Sequence, residues 1–522
     1  MISCRSVIPK LLLVLPSVMA IPRTERGDTL FATHLTPARA AAAICIDKPL
    51  YITFDQAPLK GGGLVRILQA DGTLVDSVDV GRNTEMKTVG GSAPLNYYAV
   101  VITGNTAAIY LHRALEYNQA YHVLVDSGAF VDAQRRTFGI SDPDTWRFST
   151  RTSGPPPGAT ELTVAADGTG DFCTVQGAVD FVPINNTQRV NITVARGTYT
   201  ELVYVRSSKP FITVSGEDRA EAVVEYPNND RLNPGTAARP MFRVDASDFI
   251  LENITLHNTT PYGGSQAEAL RLNNQRILVN RVNLKSFQDT FLQTGTAFIT
   301  NSDIEGDVDF MWGYGAAYFQ NCELRAVTAG AYYTQIRNNQ GQYGNVFVNC
   351  RLTRSDESVT GAYLSRIAPD VFPYSQVVYI GSAMDAHILP QGWLLNTTPP
   401  NDCSQAYQIQ FWEYRSTDLN GRLLDVGQRL GCSRQLSDEE AAQWSDPAFV
   451  LNGWVPNTVN ATPASVSPGE SIIVNWSAPR GHSARDWIGL YETGAADSAY
   501  IDRQYAGAGS TGNAAFVASP PE

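Results

Sequence analysis

Short apolar runs that stop at asparagine recur through the middle of the chain: Ile250-Leu251-Glu252-Asn253, Ile277-Leu278-Val279-Asn280, Phe298-Ile299-Thr300-Asn301, Tyr318-Phe319-Gln320-Asn321 and Val346-Phe347-Val348-Asn349. The asparagines lie 27, 21, 20 and 28 residues apart. A period of about 20–30 residues, with one short strand and one polar stop per repeat, is the signature of a solenoid. With strands rather than helices inside each repeat, that solenoid is a parallel β-helix. Asparagines in one phase are expected to stack as a ladder of side-chain amides from coil to coil, although each would also serve as a simple turn former. Thr174–Val182 places Val175, Ala178, Val179 and Val182 at helical spacing. A short helix there would close the open end of the solenoid, where apolar interior and strand edges are otherwise exposed.

The repeat does not account for all 522 residues, and single cores rarely exceed about 300. Residues 1–20 read as a signal peptide: Arg5 and Lys10, an apolar run Leu11–Val14, and Val18-Met19-Ala20 as a small-residue exit. Residues 29–152 alternate short β-rich runs with turn signals and end in Trp146-Arg147-Phe148-Ser149-Thr150, the pattern of a small antiparallel sandwich. A Pro/Gly linker, 153–159, follows. The repeat region spans 160–456, and 457–522 reads as a further small, incomplete β-sandwich module. The expected class is all-β, a β-helix flanked by sandwiches.

A net charge of −12 and the lack of any Lys/Arg run exclude nucleic acid and anionic membrane as partners, since both are bound through basic patches. Beyond the signal peptide six cysteines remain, an even number that permits disulfides in an exported protein. Six cysteines allow 15 pairings; the short separations favour Cys322 with Cys350 and Cys403 with Cys432. No CxxC or His/Cys cluster points to a metal, and no cofactor is expected.

Polar residues gather in consecutive coils at Gln266, Gln288-Asp289 and Asp309. Asp289 and Asp309 are 20 residues apart, about one coil, so they should sit on neighbouring strands of one face, about 4.8 Å apart. Two carboxylates that close cannot both ionise freely. One holding its proton and one anionic supply an acid and a nucleophile, which ester hydrolysis without a serine requires. Gln266 and Gln288 can offer amide donors to a developing oxyanion. Adjacent residues of an ideal strand face opposite ways, so Gln288 and Asp289 need a turn or bulge at Phe287–Asp289 to serve one site. No Gly-x-Ser-x-Gly is present, and the six histidines fall outside these segments, which argues against a Ser-His-Asp hydrolase.

Gln266-Ala267-Glu268-Ala269-Leu270, Gln288-Asp289-Thr290-Phe291 and Gly306-Asp307-Val308-Asp309-Phe310-Met311-Trp312-Gly313 resemble the signature segments of pectin methylesterases, carbohydrate esterases on a right-handed β-helix. Residues 29–152 resemble bacterial Ig-like domains. The esterase resemblance covers about Thr160 to Pro456. It implies Asp309 as nucleophile, Asp289 as general acid and then base, and Gln266 and Gln288 as oxyanion donors. Arg366, in Leu364-Ser365-Arg366-Ile367-Ala368, matches the family's arginine and is suited to a bidentate grip on Asp309. Tyr262, Trp312, Tyr332 and Tyr333 are candidates to line a groove for pyranose rings, with Trp312, Tyr333 and Tyr262 expected to bind them and Phe310 in the packing. The implied partner is methyl-esterified homogalacturonan, handled by a secreted monomer that acts in plant cell wall modification or degradation.

Two departures stand out. Ala368 replaces a family tryptophan and removes an apolar wall of the groove, for which Phe372, Tyr374 or Trp312 are candidate substitutes. Asp307 replaces a small hydroxyl residue, and a third carboxylate facing Asp309 would raise its pKa. These changes keep open a weakened, carbohydrate-binding β-helix or an esterase of altered substrate. β-Helical lyases would need a calcium-binding carboxylate cluster, and glycosidases would use the same aspartates without the oxyanion donors.

Overall fold

The computed structural model describes residues 29–462 and 466–517, apart from 468, 480, 492–498 and 508; the expected signal peptide lies outside the described residues. Among them no helix is long and apolar enough to cross a membrane. The repeat region folds as a parallel β-helix of three long sheets. The first, of 11 strands, runs from Glu161–Val164 to Arg434–Gln435; the second, of eight, from Gly197–Thr200 to Ala383–Met384; the third, of six, from Val203–Val205 to Thr334–Ile336. Ser365–Ile367 and Trp393–Leu395 pair in parallel beyond the third sheet.

The asparagine stops mark a corner of each coil, but by backbone conformation rather than by an amide ladder. One column of left-handed residues follows the first sheet: Asn253 (φ 54°), Arg281 (56°), Asn301 (50°), Asn321 (55°), Asn349 (53°) and Gly381 (57°). Asn280 falls one residue short of this column, since it pairs with Thr300 while Arg281 takes the corner. Amide contact between expected ladder members is confined to Asn301 Nδ2 and Asn280 Oδ1 at 3.5 Å. Asparagine recurs because it enters the left-handed region at low cost. The stack that does form is aromatic and internal. Register partners Phe319, Phe347 and Tyr379 stack at centroid distances of 4.4 and 4.6 Å, close to the strand spacing of about 4.8 Å.

The expected end cap is present as helix Val175–Phe181, with Thr174 as N-cap and Val175, Ala178 and Val179 buried. Helix Asp438–Trp444, which opens with a capping box, covers the outer face of the first sheet, where Trp444 meets Trp412, Tyr343 and Phe449.

Residues before the β-helix form a four-stranded and a seven-stranded sheet, largely antiparallel, and a two-stranded antiparallel hairpin of Glu85–Lys87 with Leu95–Tyr97. Residues 153–159 carry no regular structure, yet they do not set the sheets apart. Cys45 is bonded to Cys173, Asp47 accepts the Cys173 and Thr174 N–H groups, and Arg151 donates to the Gly168, Gly170 and Asp171 carbonyls. One apolar core continues from Leu30 to Leu430. After the β-helix, a three-stranded and a two-stranded antiparallel sheet enclose a small core of Val474, Ala514 and Phe516.

The Cys403–Cys432 bridge forms as expected, whereas Cys322 and Cys350 are free, buried thiols, contrary to the expected pairing. Each stands just ahead of one of two paired parallel strands, Glu323–Ala326 and Arg351–Arg354, and the two thiols are hydrogen-bonded neighbours in the core with no bond between the sulfurs. Each thiol also contacts a backbone carbonyl, Cys322 that of Gln320 at 3.4 Å and Cys350 that of Val348 at 3.6 Å.

Candidate active site

Asp289 and Asp309 each stand two residues ahead of a third-sheet strand, and those strands, Phe291–Gln293 and Met311–Gly313, pair Phe291 with Met311. The two aspartates therefore occupy the same place in consecutive coils, tied by the Asp289 N–H on the Val308 carbonyl at 3.0 Å. Both are buried, and both have left-handed backbones, φ 65° and 48°, which aspartate tolerates better than most residues. At Asp289 this is the turn that the Gln288–Asp289 neighbourhood required. Close coil stacking continues along the strand: a Cβ on Gly313 would lie 1.8 Å from the Gln293 carbonyl oxygen.

One coil earlier the chain carries an extra residue. The Ala269 and Leu270 N–H groups both reach the Thr290 carbonyl, at 2.8 and 3.3 Å, while Ala267 bonds Gln288. This bulge holds Glu268, fully buried, beside Asp289.

Asp309 has the richer set of donors. Arg366 grips it with Nε on Oδ1 at 2.8 Å and Nη2 on Oδ2 at 2.6 Å, and Gln335 adds its amide at 2.9 Å. Arg366 is itself braced over the Tyr332 ring at 4.2 Å. Burial raises the Asp309 carboxyl above its usual range, and the Arg366 and Arg337 guanidinium groups offset part of that rise.

Asp289 has a poorer anion site. Its Oδ2 receives one bond from Arg239 at 2.8 Å. That same guanidinium bonds both oxygens of Glu268 at 2.9 Å and Asp230 at 3.2 Å. The Arg239 contact favours an anion, whereas burial and then the nearby Glu268 drive the Asp289 carboxyl well above the usual carboxylate range. One guanidinium shared among three carboxylates cannot keep all of them ionised in a buried setting, so the upward direction prevails. Both carboxyls are pushed up by burial, Asp289 the further of the two.

Gln266 and Gln288 are half-buried. Ser265 donates to the Gln266 carbonyl at 2.8 Å, leaving the amide N–H end available to a ligand. Gln288 lines a cavity of about 220 Å³ with Tyr262, Phe287, Asp307 and Val308. Tyr262 is 68% exposed and meets Phe287 edge-on at 5.5 Å. Trp312 is almost buried, between the guanidinium groups of Arg239 at 5.5 Å and Arg337 at 4.7 Å.

Tyr333, expected to bind substrate, is instead a core residue with no exposed surface. Its hydroxyl meets the Thr353 carbonyl at 2.8 Å and His387 Nε2 at 2.7 Å. Successive strand residues alternate between faces, and Tyr332, its neighbour, is the one that turns outward. Phe310 packs inside as expected. Asp307 bonds the Val308 N–H and Thr328, and burial, not Asp307, is the leading upward influence on Asp309. Near Ala368, Phe372 supplies a ring 5.1 Å from Arg337.

Arg239, Glu268, Gln335 and Arg337 are site residues that the sequence reading missed. Gln335 had a signal. Third-sheet register aligns Arg271, Leu292, Trp312 and Gln335 at the outward middle of successive strands. Arg239 comes from a long loop outside the repeat phase and carries no such mark.

A parallel β-helix bearing two stacked, buried carboxylates on one outer face, Asp309 gripped by Arg366 and Asp289 sharing Arg239 with Glu268 and Asp230, defines a β-helical hydrolase with a paired-carboxylate site. The pectinesterase family model matches residues 161–453, more than half of the chain and beginning after the N-terminal sheets. Pectinesterase 31 of Arabidopsis thaliana is 32% identical over 299 residues, 55% of this chain and 91% of that protein. Pectinesterase 1 of Olea europaea is 31% identical over 292 residues, 54% of this chain and 76% of that protein. The solved pectin methylesterase from carrot superposes with a TM-score of 0.51 at 26% identity, covering 58% of this chain and 95% of its own. The chain belongs to the pectinesterase family and is a carboxylic ester hydrolase.

Proposed function

We propose that this protein is a secreted, monomeric enzyme that hydrolyses the methyl esters of homogalacturonan to free carboxylates and methanol. The reading is carried by the unequal treatment of the two aspartates, with three N–H donors on Asp309 and a single shared guanidinium on Asp289. The Asp309 carboxylate attacks the ester carbonyl carbon. The oxyanion takes donors from Gln266 and Gln288, and its collapse breaks the bond to the methoxy oxygen, which takes the Asp289 proton and leaves as methanol. The acyl-enzyme is an anhydride on Asp309. Asp289, now anionic, removes a proton from water, the resulting hydroxide attacks the sugar acyl carbon, and Asp309 leaves as carboxylate.

Arg366 keeps the nucleophile ionised and oriented, and the Tyr262 and Phe287 rings supply apolar contact for a pyranose face. The test is methanol release from highly methylated pectin, with polymer length followed in parallel. Release without chain shortening, lost in Asp309→Ala and Asp289→Ala, supports the reading. Chain shortening would point to glycosidic cleavage, and no release at any pH would bring a carbohydrate-binding role forward.

A further inference from the structure

The loop that carries Arg239 is held from outside the β-helix. It leaves strand Ala222–Glu225 and returns at strand Phe242–Val244, and it meets the hairpin strand Leu95–Tyr97 of the N-terminal sheets. The Asn233 side chain accepts the Asn96 N–H at 2.8 Å and donates to the Asn96 carbonyl at 2.9 Å. The Asn96 amide donates in turn to the Leu232 carbonyl at 2.9 Å, and the Tyr98 N–H reaches the Tyr226 hydroxyl at 2.7 Å.

From Asn233 the contacts continue inward. Its amide also donates to Asn228 at 2.8 Å, and Asn228 donates to the Ala238 and Pro240 carbonyls at 2.9 and 3.0 Å. Those two carbonyls flank Arg239. Asn228 and Asn233 are buried, so each broken bond leaves an amide or carbonyl unpaired away from water, which makes the arrangement rigid. Beyond Arg239 lie Asp289 at 2.8 Å and Glu268.

We propose that the N-terminal sheets are part of the catalytic apparatus, with Asn233, clamped by Asn96, as a positioning residue that fixes Arg239 against Asp289. The proposal rests on the esterase reading only for the role given to Asp289. Asn96 lies ahead of residues 161–453, the segment matched by the family model, whereas Asn233 lies within it, so the clamp ties the N-terminal part of this chain to the family segment. The groups that face Asp289 are Arg239, Glu268, Asp309 and Arg337, with Asp230 acting through Arg239. Of these, the two guanidinium groups favour the anion, and the Arg239 loop is the one the clamp controls.

The experiment is an infrared titration of the buried carboxylic acid in the full chain, its band assigned with Asp289→Asn, alongside the pH dependence of kcat/KM for methanol release. In Asn233→Ala the band midpoint is expected to move up by roughly one pH unit, the low end of what losing a close opposite charge does. The basic limb of kcat/KM should follow it. Asn96→Ala, which keeps both backbone bonds to Asn233, should show a smaller shift in the same direction and guards against a misfolded Asn233 variant. An unmoved midpoint in both variants overturns the proposal, as does a fall in kcat/KM that is equal at every pH. A parent that titrates normally but releases no methanol overturns the esterase reading and leaves the positioning role standing.

Discussion

Arg366 closes on Asp309 as a two-pronged clamp, with Nε 2.8 Å from one carboxylate oxygen and Nη2 2.6 Å from the other. Parallel N–H bonds of this kind fix the plane of the carboxylate as well as its charge. The nucleophile assignment therefore depends on a residue 57 positions away in sequence.

Replacing Arg366 should test that dependence. Arg366 opposes the burial that raises Asp309, so Arg366→Ala lets the carboxyl pKa rise further and moves the acid limb of kcat/KM to higher pH. The expected loss at mildly acidic pH is about 10²–10³-fold, the range seen when one preorganised electrostatic group is removed. Arg366→Lys keeps charge but not the fork and should fall between; pH profiles of initial methanol release will show it.

Glu268 acts on the other aspartate with the opposite sign. It is the largest influence after burial that raises Asp289. In Glu268→Gln the Asp289 proton should be lost at lower pH, so the basic limb of the profile moves down. A limb that stays in place would separate Glu268 from the titration of Asp289.

Glu201 should govern part of the pH dependence of stability. Its carboxylate caps the end helix, accepting the Val175 and Gln176 N–H groups at 2.7 and 2.9 Å, but burial pushes its pKa up to about 7 from 4.5. A carboxyl raised in the folded state stabilises fully below its unfolded pKa, and that contribution is lost as pH rises through the folded value. Stability should therefore decline between about pH 4.5 and 7, by on the order of 3 kcal/mol from this group. Denaturant unfolding across that range should show the decline reduced in Glu201→Gln.

The cysteine arrangement predicts two thiol classes. Cys322 and Cys350 are buried, and burial holds the Cys350 thiol well above its usual range, so neither should react with a thiol reagent until the chain unfolds. Removing the Cys45–Cys173 bridge, which spans 128 residues, should cost about 5 kcal/mol by chain entropy. Denaturant unfolding of Cys45→Ser/Cys173→Ser checks the second figure.

The β-helix and the carboxylate pair were legible from local pattern, because a coil is a short-range repeat. Asn253, Asn301, Asn321 and Asn349 mark corners since each must adopt a left-handed backbone, and the 20-residue interval of Asp289 and Asp309 equals one coil. Arg366 was found through its motif. The face of Tyr333 was misjudged because Tyr332 and Tyr333 are adjacent, and only register tells which of two neighbours points inward.

Sequence alone determined the solenoid, its capping helix and the pairing of two aspartates, all consequences of a periodicity written within about 30 residues. Tertiary structure decided how unequally the two aspartates are surrounded. That difference depends on Arg239 and Glu268, brought to Asp289 by a loop and a bulge, and on burial that no single residue displays. Charge states in a buried cluster follow from the sum over groups distant in the chain, so they exist only once the coils and the N-terminal sheets are packed together.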